Sequence, residues 1–123
     1  MPKRITKISQ DFDKIYDNAK TTEATFQKNS DYLNFKSQKN FKFSDVDHII
    51  DRLYERFYLG ETIYWNKRVL DENLCPKEMR GMYFYNLFNK LDTAKEFELL
   101  LEYGQKAQNE GDLGTINHCA LFE

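Results

Sequence analysis

Apolar positions recur with helical spacing along most of this chain. Ile5, Ile8, Phe12, Ile15, Ala19, Thr22 and Phe26 follow one another in alternating steps of three and four, the seam of a helix that packs on another helix. The spacing predicts a helix over residues 8–20. Its continuation to 28 is weakened by the Thr21–Thr25 stretch, which is poor in helix propensity. A core-facing bundle helix is favoured over a dimer seam, so both a monomer and a homodimer are compatible with the pattern.

Residues 30–43 break this rhythm. Tyr32 to Phe35 could pair with Phe41 to Phe43 around a polar loop as a small β-hairpin insert, with an irregular loop as the equal alternative. From Ser44 the helical signal returns. Ser44 has the character of an N-cap and Asp47 stands at the capping-box position. Val46, Ile49, Ile50, Leu53, Tyr54, Phe57 and Tyr58 then keep a 3.6-residue period until Gly60, the expected stop. Residues 61–74 read as a short helix in preference to two strands. Pro76 suits the first position of a further helix ending near Leu91. Asp92 is expected to cap a last helix with the stripe Ala94, Phe97, Leu100, Leu101, Gly104 and Ala107. In the tail 111–123, Ile116, Leu121 and Phe122 are expected to dock on the body.

The fold class is therefore all-α, with a hairpin at 30–43 as the one β alternative, in a compact single domain of four to five helices spanning 1–123. Its expected core is Phe12, Ile15, Ile49, Ile50, Leu53, Phe57, Tyr83, Phe84, Leu87, Phe88, Phe97, Leu100 and Leu101. Composition reinforces the centre of this picture. The chain has 10 Phe, 8 Tyr and 1 Trp, and the stretch from Tyr54 to Phe88 holds nearly half of these rings. Rings bury large areas, so this band is either the middle of the fold or an adhesive face.

The formal net charge is only −2, but it is unevenly spread. Residues 1–43 are net basic and residues 92–123 net acidic, which arises from ends that meet in the fold or from a dipolar surface that steers charged partners. No apolar run is long enough for a membrane span, and the basic start MPKRITKISQDF lacks the apolar core of a secretory signal. Two isolated cysteines suit a reducing compartment. The expected location is cytoplasmic, the cytoplasm of a host included, and a small Lys- and Asn-rich chain has the composition of a phage or mobile-element protein.

Candidate chemistry is sparse. Asp45 and His48 lie on one helical face like half of a metal-ligating pair, but a carboxylate-bridged site needs a second pair and further carboxylates. His48, Cys75, His118 and Cys119 have the residue types of a zinc site without its spacing. Cys75 precedes Pro76 at an expected helix start, yet nothing places a base beside it. The five glycines, at 60, 81, 104, 111 and 114, form no phosphate-binding loop. Neither a metal nor a cofactor is expected, nor an enzymatic activity.

Three surfaces remain. The helix over 45–59 has an acidic edge of Asp47, Asp51 and Glu55 and a basic edge of His48, Arg52 and Arg56. Tyr and Arg are over-represented at binding hot spots, so Arg52, Arg56, Tyr58, Tyr64, Trp65 and Arg68 are the expected protein-binding residues. The primary expectation is a small regulator or inhibitor acting through that surface on a protein partner. The alternative is a nucleic-acid accessory protein using the basic and aromatic residues Lys28, Tyr32, Lys36, Lys39, Phe41 and Lys42. Glu98 and Glu102, in the last helix, offer an acidic docking surface or an ordinary solvated face.

Overall fold

A computed structural model describes residues 6–110. These residues form seven α-helices and one 3-10 turn, with no strand among them. The helices are α1 (Lys7–Asn18), α2 (Glu23–Gln27), α3 (Ser30–Lys36), α4 (Phe43–Glu55), α5 (Leu59–Asp71), α6 (Arg80–Thr93) and α7 (Phe97–Asn109), and the 3-10 turn is Lys77–Met79. The all-α expectation holds. The expected docking of Ile116, Leu121 and Phe122 lies outside the described residues, as does Ile5. No helix among the described residues is long and apolar enough to cross a membrane.

The described chain divides into two compact units, with the boundary between Thr62 and Ile63, inside α5. In the first unit α1 packs on α3 and α4, and α2 packs on α3. Thr6 caps α1, its hydroxyl accepting from the Ser9 N–H at 3.0 Å. The seam from the N-terminus does not run on as one helix. The chain breaks at Ala19–Thr22, where Thr22 starts α2 by accepting from the Thr25 N–H.

The segment 30–43 is not a hairpin. Asn29 caps α3 by accepting from the Tyr32 N–H at 2.9 Å, and Tyr32 and Phe35, three residues apart, turn inward together. Phe41 follows them into the core from the loop before α4. Phe26 lies 4.3 Å from Tyr32 and 5.2 Å from Tyr58 between ring centroids, and Phe35 lies 5.7 Å from Phe12 and 5.4 Å from Phe41. A connected cluster of rings, with Val46, Ile49 and Leu53 of α4, is thus the core of this unit.

A buried carboxylate stands beside these rings. Glu61 accepts from Lys36 Nζ at 2.8 Å, from Gln27 Nε2 at 3.0 Å and from the Tyr32 hydroxyl. Three donors offset the desolvation of its charge. Gly60 makes room for this arrangement, since a Cβ there would meet Gln27 Nε2 at 3.3 Å and Glu23 Oε2 at 3.4 Å. Gly60 is therefore the second residue of α5, not the stop of α4.

In the second unit α6 and α7 pack on each other. The link of Ala94–Glu96 between them is short enough to make them antiparallel neighbours. Trp65 and Val69 of α5, Tyr83, Phe84, Leu87, Phe88 and Leu91 of α6, and Tyr103 and Ala107 of α7 are buried. The Tyr103 hydroxyl donates to the Asp71 carboxylate, whose oxygens lie at 3.0 and 2.9 Å. Pro76 precedes the 3-10 turn as its cap and does not open a helix. Asp92 lies inside α6, and α7 is preceded by Glu96.

Of the expected core, Phe12, Ile49, Leu53, Tyr83, Phe84, Leu87 and Phe88 are buried and Ile15, Ile50 and Leu100 half-buried, but Phe57, Phe97 and Leu101 are 79%, 54% and 72% exposed. Phe97 and Leu101 fall outside the narrow buried strip of α7, which Tyr103 and Ala107 define.

Candidate functional site

Helix α4 starts where two local devices agree. Lys42 occupies the cap position, and its backbone N–H donates to Asp45 Oδ2 at 3.0 Å. The hydroxyl of Thr6 donates to the other oxygen of the buried Asp45. Asp45, not Asp47, therefore closes the capping box, and the helix begins one residue before Ser44.

The basic edge of α4 is turned onto α1. His48 Nε2 lies 2.8 Å from Asp13 Oδ1, and Arg52 Nη2 donates to Asp17 Oδ1 at 2.9 Å. Arg52 Nε is within ion-pair range of Asp13 at 3.4 Å but is not aligned as a hydrogen bond, and it has no hydrogen-bond partner. Arg56 donates to the Ala19 carbonyl at 3.1 Å, and its guanidinium lies over the Tyr16 ring at 3.5 Å from the centroid. Arg52 lies over the same ring at 4.5 Å. Burial pushes the Tyr16 hydroxyl above its usual pKa, against the opposing pull of Arg56. These three side chains thus hold α4 to α1.

The opposite edge of α4 faces outward. Asp51 and Glu55 are exposed and Asp47 is half-buried, in one row at four-residue spacing. Beside them stand half-buried Ile50, Tyr54 at 55% exposure, and Phe57. Glu55 Oε2 lies 3.5 Å from Arg52 Nη1, a weak exposed pair. The Tyr54 and Phe57 rings touch, with centroids 5.9 Å apart.

Phe57 is placed there by the helix end. Tyr58 N–H donates to the Leu53 carbonyl at 3.2 Å and Phe57 N–H to that of Tyr54 at 2.9 Å. This is a Schellman closure, and it requires a left-handed residue at Phe57, whose φ is 57°. Glycine is the usual occupant, and a residue with a Cβ pays about 1–2 kcal/mol there. A bulky ring is thus held in a strained conformation and displayed to solvent. Buried Tyr58 anchors the turn from inside by donating its hydroxyl to the Thr21 carbonyl.

The residues expected to bind a protein are accordingly divided. Arg52 and Arg56 are occupied by α1, and Tyr58 is buried. Trp65 is fully buried, Tyr64 packs edge-on against it at 5.3 Å, and Arg68 lies over the indole at 5.1 Å while its Nε donates to Glu72 at 2.6 Å. The first three belong to one unit and the last three to the other. Of the nucleic-acid set, Tyr32 and Phe41 are core rings and Lys36 is paired with Glu61; Lys28, Lys39 and Lys42 are exposed. The rings that would stack on bases are therefore inside.

In the second unit an open cleft of about 560 Å³ is lined by Asn73, Cys75, Lys77, Arg80 and Glu110. Arg80 is fully committed there. It donates to both Glu110 oxygens at 2.7 Å, to Asn73 Oδ1 at 2.6 Å and to the Leu70 carbonyl at 3.2 Å. Cys75 is a free, buried thiol whose pKa burial pushes up, opposed by Arg80. It is a poor nucleophile at neutral pH. Among the described residues no group of three or more His, Cys, Asp and Glu side chains is arranged to hold a metal ion. His118 and Cys119 lie outside those residues.

Comparison with known protein families, curated proteins and solved structures finds no match for this chain.

Proposed function

We propose that the protein is a small non-enzymatic regulator or inhibitor that binds a protein partner through the outward face of α4 and the turn after it. The observation that carries this reading is the Tyr54–Phe57 pair, with Phe57 79% exposed at a left-handed position. Strain and exposed apolar area both cost stability, and such features persist where a surface is used. Aromatic anchors at a rigid turn lose little side-chain freedom on binding, which favours their use as hot spots. The buried free thiol of Cys75 suits action in a reducing cytoplasm.

The test is capture by the full chain as bait, with wild type beside Phe57→Gly. Glycine removes the ring and accepts the φ, so the variant folds. The expected result is a protein retained by wild type and lost from Phe57→Gly. Identical capture by both would overturn the reading. Alanine at Tyr58 or Arg56 is unsuitable for this purpose, because both side chains hold the first unit together.

A further inference from the structure

The helix break at Ala19–Thr22 supplies the acceptors on which the turn at Phe57 stands. In an unbroken helix the Ala19 carbonyl would accept from the Glu23 N–H and the Thr21 carbonyl from the Thr25 N–H. The break diverts the second donor, because the Thr25 N–H goes to the Thr22 hydroxyl at 3.3 Å. The end of α4 takes both carbonyls. Arg56 Nη1 donates to the Ala19 carbonyl at 3.1 Å, and the Tyr58 hydroxyl donates to that of Thr21. Arg56 and Tyr58 are the chain neighbours of Phe57, so the left-handed residue is held on both sides by one short segment.

The end of α6 has the same turn without such a clasp. Lys95, with φ of 59°, stands between Ala94, which has no polar side chain, and Glu96, whose N–H closes the turn on the Leu91 carbonyl. Backbone closure alone therefore suffices for the turn. The clasp at Phe57 adds a fixed direction for the ring.

We infer that Arg56, Tyr58 and, through the Thr21 carbonyl, Thr22 are positioning residues that hold the Phe57 turn in its binding form. The inference rests on the protein-binding reading above and adds how that site is kept ready and from where it is controlled. An anchor populated in its binding form for only a fraction of the time binds more weakly in that proportion. The control point is Thr22, whose side chain is exposed on the α1–α2 link. Without its hydroxyl, the Thr25 N–H returns to the Thr21 carbonyl and competes there with Tyr58. Loss of a cap on α2 is thus transmitted to the end of α4.

The test is amide hydrogen exchange and ring–ring NOEs in the isotope-labelled full chain. Wild type is compared with Tyr58→Phe, Arg56→Met, Thr22→Ala and Thr22→Ser. Phenylalanine keeps the buried ring and methionine an unbranched stem, so each removes donors with little change in packing. Exchange at residues 57 and 58 is expected to quicken about tenfold in Tyr58→Phe and in Arg56→Met, the worth of one ordinary hydrogen bond. The NOEs between Phe57 and Tyr54 should weaken with it. Thr22→Ala should act in the same direction, and Thr22→Ser, which keeps the cap, should match wild type. Residues 46–53 and the turn at Lys95 should stay as they are.

Unchanged exchange at 57 and 58 in Tyr58→Phe or Thr22→Ala overturns the inference. So does loosening spread evenly over α4, which would make these side chains general supports of the helix. Thr22→Ser behaving like Thr22→Ala overturns the control point. If either α4 variant does not fold, the Thr22 pair at its exposed position decides the matter. None of these results touches the protein-binding reading, which falls only if Phe57→Gly captures as wild type does.

Discussion

Phe57, Asn73 and Lys95 occupy equivalent places at the ends of α4, α5 and α6, with φ of 57°, 55° and 59°. In each case the next residue's N–H reaches back to close the helix: Tyr58 to Leu53, Leu74 to Val69 and Glu96 to Leu91. None of the three is glycine, although each position favours it. Asn tolerates the left-handed region and here also accepts from Arg80, so Asn73 is suited to its place. Lys95 is exposed and has no such compensation in its backbone conformation. Lys95→Gly is expected to stabilise the protein by about 0.5–1 kcal/mol, read as a higher urea midpoint with unchanged slope. A second expectation concerns buried phenols. Burial pushes the Tyr103 pKa up, and its hydrogen bond to Asp71 pushes it further; burial also raises that of Tyr16. A raised folded-state pKa contributes stability that is complete below the unfolded value, about 10. That stability is lost as pH climbs from there toward the folded value. Urea midpoints should therefore fall above about pH 10, and Tyr103→Phe should flatten that fall. A midpoint that rises over the same range would contradict the placement of these phenols.

Among elements, α4 was legible because its apolar period and acidic start agree, though its first and last residues differ from expectation by a few positions. The segment 30–43 was not legible. Alternation of Lys and Phe over Lys39–Phe43 imitates a strand, while the signal for α3 lay earlier, in Asn29 as a cap and in Tyr32 and Phe35 three apart. The helix is only seven residues long, so its stability comes from burying those rings and not from propensity. Asn34 is an exposed interior residue of α3. Asn34→Pro is expected to cost about 3 kcal/mol, because it removes a helical hydrogen bond and crowds the preceding turn. A loss near zero in urea unfolding would favour a loop there. The break at Ala19–Thr22 has a similar lesson: the seam spacing continues across it, but Thr22 gains more as the cap of a new helix than as an interior residue.

For the whole molecule, the all-α class followed from periodicity, and the location of the working surface did not. Periodicity identifies which residues share a face, and cannot tell whether that face meets a neighbour or water. Phe57 fits the apolar period of α4, yet the helix reverses just before it and throws its ring outward. No residue type at that position announces a left-handed turn, and the glycine that resembled a stop falls three residues later. Conversely, most of the rings and arginines in the expected sites are the ones the fold uses: Arg52 and Arg56 against α1, and Tyr58, Trp65, Tyr32 and Phe41 in the cores. What stays outward on α4 is the acidic row and two rings.

The most direct measurement sets urea stability and partner capture side by side for Phe57→Gly and wild type. If the strained ring serves binding, the glycine variant should unfold at an equal or higher urea concentration and retain little or none of the partner. A variant that is less stable yet captures the partner as wild type does would contradict the account.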